Sequence, residues 1–390
     1  MEFKNCVTWQ EIIQQPSIWR EELEIVKNNL KSIGAFIEKV QGKKVKVVFT
    51  GAGSSEFVGN TLCSYVNSKV DIDVLSVPTT DIVSMPEQYL EADTATILVS
   101  CARSGNSPES VATVNLADKL VKNIYHIFIT CNPEGHLAKI SKEGDNKYLL
   151  LMPEKTNDKG FAMTGSFSSM VVAGVLVLLR KDFAEMERKV TYVANLVEKN
   201  LEKILADAET ITDLDIERIV YLGDGALKGL AEEVSLKVLE LTGGKLASFY
   251  NTFLGFRHGP KSIVNDKTAI VCMMSNNPYT RIYELDLLKE FKNEGGKKKI
   301  IVLDTVCDEE VKNNCDYYFS FADEKLGEIE EVFAGLGYLV YGQLISLVKS
   351  AKLGINPDNP CPTGEVNRVV KGVIIHEYNK YFFKKVNLKF

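Results

Sequence analysis

"TATILVSCARSGNSPES", residues 94–110, carries a nearly continuous β-branched run into a loop of hydroxyls, one Arg, one Gly and one Asn, with Pro108 just inside the next segment. An apolar run with no polar alternation reads as a strand covered on both sides, and such strands belong to parallel sheets flanked by helices. The segment behind it, "SPESVATVNLADKLVK", has helical spacing, and Ser followed by Pro suits a first helical turn. Four serines within residues 100–110 exceed what a turn needs, so the loop is expected to hold a ligand.

The same punctuation recurs along the chain. "KVKVVF" (44–49), "DVLSV" (73–77), "ATILVS" (95–100), "YHIFIT" (125–130) and "YLLLM" (148–152) are short apolar runs separated mostly by helical patterns. A second series comes after them in the same order: "RIVYLG" (218–223), "KLASFY" (245–250), "TAIVCMMS" (268–275), "KKIIVLD" (298–304) and "DYYFSF" (316–321). The predicted fold is α/β, a duplication giving two tandem open five-stranded parallel sheets with helices on both faces. The expected divisions are a helical segment at 1–40, a first domain with a linking helix at 41–206, a second domain at 207–355 and a tail at 356–390. One linking helix is predicted over 181–206 and another long helix over 322–353. The buried-looking run "MVVAGVLVLL" (170–179) reads as a core helix.

At 390 residues the chain suits two domains, and 45% hydrophobic with 25% charged residues describes a globular protein. A formal net charge of -6 with scattered Lys and Arg gives no basic field for nucleic acid. The first residues are polar and acidic, unlike a signal peptide, and no run has spanning length, so no membrane partner and a cytoplasmic location are expected. Eight dispersed Cys without a C-x-x-C, and four His without ligand spacing, argue for reduced thiols and against a metal site. His126 lies inside a strand run and Cys101 has no activating neighbour; both read as core residues.

In open parallel sheets ligands sit beyond the strand C-termini, where helix N-terminal amides point outward. "GAGSS" (51–55) and "ARSGNS" (102–107) occupy that position after strands one and three. Gly53 and Gly105 permit close backbone approach, and Ser54, Ser55, Ser104 and Ser107 add donors; together they resemble a phosphate cradle. The competing reading is plain helix capping. A dinucleotide fingerprint fails, because Glu56 stands where its third Gly belongs, and the P-loop Lys is absent. In the second series Glu233, Lys237 and Glu240 share one helix face, either as a solvated ion-pair stripe or as chemistry. His258, in "LGFRHGPKS" (254–262), sits on a Gly- and Pro-bounded turn where a side chain acts rather than packs.

Taken together, "GAGSS", "RSGNSPES", "EVSLKVLELTGG", "FRHGPKS" and "NNPYTR" resemble the sugar isomerase (SIS) proteins, specifically the galactosamine-6-phosphate deaminase/isomerase group, also described as tagatose-6-phosphate ketose/aldose isomerases. A more distant likeness is to the isomerase half of glucosamine-6-phosphate synthase. The resemblance implies Ser55, Ser104 and Ser107 as phosphate ligands, Glu240 as the carboxylate that moves a proton between C1 and C2, His258 in ring opening and Lys371 at the open-chain carbonyl. Gly53, Ser54, Arg103 and Lys237 complete the expected substrate-binding set. Arg103 stands where the synthase has a neutral Gln, and Ala102 where it has a Ser, which leaves open whether Arg103 meets phosphate. No cofactor and no metal are implied. The expected partner is a small sugar phosphate, and the expected assembly a homodimer or larger, since part of the site in that family can come from a neighbouring subunit. The alternatives are plain aldose/ketose isomerisation, glucosamine 6-phosphate deamination, or a sugar-phosphate sensor without chemistry. A sensor has no use for the set Glu240, His258 and Lys371.

Overall fold

The structure is a computed structural model that describes residues 3–40, 42, 44–370 and 372–379. Its first sheet holds β1 (Val45–Thr50), β2 (Asp73–Ser76), β3 (Ala95–Ala102), β4 (Ile124–Thr130) and β5 (Lys147–Leu151) in the order β2-β1-β3-β4-β5. The second holds β6 (Arg218–Leu222), β7 (Ala247–Asn251), β8 (Thr268–Met273), β9 (Lys299–Leu303) and β10 (Tyr317–Phe319) in the order β10-β9-β8-β6-β7. Every pairing is parallel. The two orders are the same topology read from opposite edges, so each sheet reverses its winding between its first and third strands. β3 and β8 are buried along their whole length, as their unalternating apolar runs require.

Both copies turn from first strand to first helix in the same way. Gly53 (φ 57°, ψ -131°) precedes the helix Ser54–Asn67, and Gly225 (φ 56°, ψ -126°) precedes the helix Ala226–Leu241. A side chain is strained in that conformation, which explains Gly at both places. These two helices pack against each other. At their crossing a Cβ on Gly229 lies 2.4 Å from the backbone nitrogen of Thr61, so only Gly permits the approach. Through this contact a single buried cluster takes in residues of both sheets, Phe49 and Tyr221 among them.

Two helical expectations need correction. The chain at 181–206 is two helices, Phe183–Lys199 and Leu201–Thr212, broken at Asn200, whose amide donates back to the Leu196 carbonyl at 2.8 Å. The apolar spacing runs across the break through Val197, Leu201 and Ile204, so periodicity alone reads them as one. The later helix begins at Glu331 and ends at Lys352; before it the chain makes a 3-10 turn at Leu326–Glu328 that buries Leu326. This helix is the one described helix long and apolar enough to cross a membrane, and 94% of its apolar window is buried in the core.

Buried polar groups tie the N-terminal helix Gln15–Ile37 to the core helix Gly165–Leu178. Trp19 Nε1 donates to Ser168 Oγ at 2.9 Å, and Glu22, fully buried, accepts from Ser169 Oγ at 3.3 Å. Burial pushes the Glu22 carboxyl up to about 8, opposed weakly by Ser169. A carboxyl raised by folding lends stability that is complete below its ordinary value near 4.5 and is lost as the pH climbs through about 8. The wild-type protein is therefore expected to lose on the order of 2 kcal/mol relative to Glu22→Gln between pH 5 and pH 8. Urea unfolding of both proteins across that range reads the difference, and parallel curves reject it.

Candidate functional site

The switch point of the first sheet gathers the loops read from sequence. Ser54 and Ser55, both buried, open the helix after β1, while Arg103, Ser104 and Gly105 (φ 64°) lead from β3 to the helix Pro108–Leu120. The Ser104 carbonyl accepts from Asn132 Nδ2 at 3.0 Å, and Ser104 Oγ accepts from the Asn106 amide at 3.3 Å. Ser107 is the helix N-cap, its hydroxyl 2.6 Å from Ser110 Oγ and accepting from the Ser110 amide at 3.3 Å. Helix capping is thus built into this loop. His126 and Cys101 are core residues: His126 Nε2 lies 2.8 Å from Asp118, and burial drives the Cys101 thiol far up.

The second unit reaches into the same crevice through the end of its first helix. Lys237 is fully buried, with Nζ 2.5 Å from Glu240 Oε2, 3.0 Å from Ser54 Oγ and 3.3 Å from Glu233 Oε1. The stripe Glu233, Lys237 and Glu240 is therefore no solvated face. Burial works against the Lys237 ammonium, but Glu233 and Glu240 outweigh it and hold its pKa above the ordinary value. Burial pushes Glu233 up to about 7, with Lys237 opposing and Glu240 adding to the rise. Lys237 has three N–H donors and three protein partners, and through them it ties Glu240 to the helix that follows β1. Glu240 remains partly exposed, its side chain at 24% of full accessibility, open toward the crevice.

Arg103 is nearly buried and donates to the carbonyls of Arg368 at 2.9 Å and Phe161 at 3.5 Å. Burial and then the neighbouring Arg368 lower its pKa, while Asp158 and Glu240 support its charge. The loop behind it escaped sequence reasoning. Asp158, buried, accepts from the amides of Thr164 (2.8 Å) and Ser166 (2.9 Å), and Glu11 accepts from the amides of Lys159 (2.5 Å) and Gly160 (3.1 Å). The signal available was "TNDKGFAMTGS" (156–166), a Gly-rich segment after the fifth strand with an Asp placed to cap the next helix. His258 is exposed, on the turn between the short helix Phe253–Phe256 and the 3-10 turn Pro260–Ile263. Lys371 lies outside the described residues.

The equivalent crevice of the second sheet has different chemistry. Ala226 and Leu227 replace the serine pair, and Ser275, after β8, is taken up by two carboxylates: its amide donates to Glu284 (2.9 Å) and its hydroxyl to Glu331. Two carboxyl groups as acceptors thus engage the Ser275 amide and hydroxyl there, and burial drives the Glu284 carboxyl well above its ordinary pKa.

The SIS domain model matches residues 40–180. The D-galactosamine-6-phosphate deaminase AgaS of Shewanella sp. is 38% identical over 96% of this chain and 92% of its own length. A solved Clostridium novyi protein, provisionally described as a tagatose-6-phosphate ketose/aldose isomerase, is 47% identical with a TM-score of 0.94, covering 97% of this chain and 96% of that one. The tagatose-6-phosphate ketose/aldose isomerase structure from Escherichia coli is 35% identical with a TM-score of 0.88, over 96% and 97%. Likeness of that depth over nearly the whole chain makes it a member of the SIS family, in its AgaS branch.

Proposed function

We propose that the chain converts galactosamine 6-phosphate and water to tagatose 6-phosphate and ammonia. The observation that carries this reading is the Lys237 bridge, which brings a solvent-reachable carboxylate, Glu240, to a helix N-terminus rich in hydroxyls. Phosphate binds at the amides and hydroxyls of Ser55, Ser104 and Ser107, with Gly53 allowing close approach and the helix dipoles favouring the anion. Anchored at one end, the sugar presents C1 and C2 to Glu240, and the anchoring supplies orientation. His258 is assigned to ring opening and Lys371 to the open-chain carbonyl, both on family likeness.

With the ring open, Glu240 takes the C2 proton beside the C1 aldehyde, giving an enolamine, and returns a proton to C1. The product is an imine at C2. Water adds to that carbon, ammonia leaves with its nitrogen, and a ketose 6-phosphate remains; no external oxidant or reductant is consumed. Arg103 lies near enough to Glu240 for the carboxylate to support the guanidinium charge at the same site.

The names carried by the Clostridium and Escherichia coli structures favour a second reading, isomerisation of an unaminated sugar phosphate. Purified protein given galactosamine 6-phosphate, glucosamine 6-phosphate or tagatose 6-phosphate separately, with ammonia and sugar product followed together, tests both. Ammonia and tagatose 6-phosphate from the galacto substrate are expected. Interconversion of tagatose 6-phosphate without ammonia from either amine supports the second reading, and binding without product supports a sensor. We further propose a cytoplasmic homodimer or larger assembly, read by light scattering.

A further inference from the structure

The tail returns to the molecule at two places beside the crevice. At its start Asp358 accepts from the amides of Val7 (2.8 Å) and Thr8 (2.9 Å) and from Thr8 Oγ1 (2.6 Å), capping the first N-terminal helix. Ten residues on, Arg368 spans a gap: its Nε donates to the Gly160 carbonyl at 3.0 Å, its Nη2 to the Asp158 carbonyl, and its own carbonyl accepts from Arg103 Nη2. The loop that receives Arg368 is itself fixed from two sides, by Glu11 on the short helix Val7–Ile13 and by the buried Asp158 carboxylate, which holds the start of the helix Gly165–Leu178. Arg103 then meets two carbonyls, one from the tail and one from this loop, and among the described residues no carboxylate hydrogen-bonds it.

That arrangement is unusual for a guanidinium so nearly buried. Arg368 stands beside Arg103 and works against its charge, and the acceptors bonded to Arg103 are neutral carbonyls. Arg103 has five N–H donors and two protein acceptors, so donors remain for a ligand in the crevice. A bidentate carboxylate would take up two of those donors, whereas single carbonyls orient the group and leave donors open.

We propose that Arg368 is a positioning residue for the sugar-phosphate site, holding the tail against the 158–161 loop so that its backbone carbonyl aims the Arg103 guanidinium at the bound anionic sugar. This rests on the reading of the crevice as a sugar-phosphate site. Neither Arg368 nor the loop that anchors it belongs to the phosphate-loop motifs.

Binding of galactosamine 6-phosphate, measured by calorimetry on the full-length chain, separates the positioning role from the chemistry. Arg368→Ala is expected to weaken binding by about tenfold to a hundredfold, in line with losing an aimed charge-assisted contact. Arg368→Lys, which keeps a donor to the same carbonyls, is expected to recover part of it. In an Arg103→Gln background the Arg368→Ala change is expected to add almost nothing, because both act through one guanidinium. Additive losses overturn the inference, as does wild-type affinity in Arg368→Ala. A variant that melts earlier is judged by the Lys variant and by the cycle, since a general loss of folding lowers binding equally in both backgrounds. Wild-type protein that binds the sugar but releases no ammonia ends the deaminase reading while leaving the Arg368 cycle measurable. Wild-type protein that binds no sugar phosphate ends both.

Discussion

Glu240→Gln is expected to lower ammonia release by about 10²–10⁴-fold while galactosamine 6-phosphate still binds. The amide keeps the shape and the hydrogen-bonding reach of the carboxylate but cannot accept a proton from C2. The Gln carbonyl oxygen can still accept from Lys237, whose contacts to Ser54 and Glu233 are unchanged, so the buried end of the helix keeps its place. Binding is expected to hold because the proposed phosphate ligands lie on the other unit, at the starts of the helices after β1 and β3. Calorimetry with substrate, alongside single-turnover ammonia release, reads the two quantities separately. Solvent deuterium appearing at C2 of recovered substrate is expected with wild type and not with the variant. Turnover within tenfold of wild type removes Glu240 from the role of base.

Much of this site is legible in the sequence because its parts are local. The unalternating runs at 95–100 and 268–275 announce parallel strands, and each loop behind them has its own composition. Gly53 and the serines beside it are interpretable in isolation, since a turn and a helix start obey short-range rules. What periodicity hides is depth. Glu233 and Lys237 sit at a spacing that ordinarily marks a solvated stripe, and only the packing of Gly229 onto Thr61 reveals that the helix face is closed off. Contacts across hundreds of residues are hidden as well: Glu11, Asp158 and Arg368 meet at one loop, yet nothing in their neighbours along the chain links them. Asn200 illustrates the opposite failure, a local break that the apolar spacing runs straight across.

Lys237→Met is expected to destabilise the fold by about 3–5 kcal/mol, because it strands a buried carboxyl without its cation. Glu233 has no exposure to water and Lys237 is the one ion-pair partner found for it among the described residues. The size of the loss depends on pH in a direction that can be worked out. With Lys237 present Glu233 already lies up at about 7, and Lys237 is the leading influence holding it down. Removing the ammonium raises the folded carboxyl further, and a raised carboxyl gives stability that is present at low pH and lost as pH rises. The deficit of the variant is therefore smallest near pH 5, where Glu233 is neutral in both proteins, and widens toward pH 9. Adding Glu233→Gln is expected to restore most of the stability and flatten that dependence, since no charge remains to be buried. It is not expected to restore turnover, for Glu240 still lacks the Nζ contact that ties it to Ser54. Urea unfolding and ammonia release on the single and double variants separate a pair that only holds the helices together from one that also aims the base. Full activity in a refolded double variant assigns Lys237 to the fold alone.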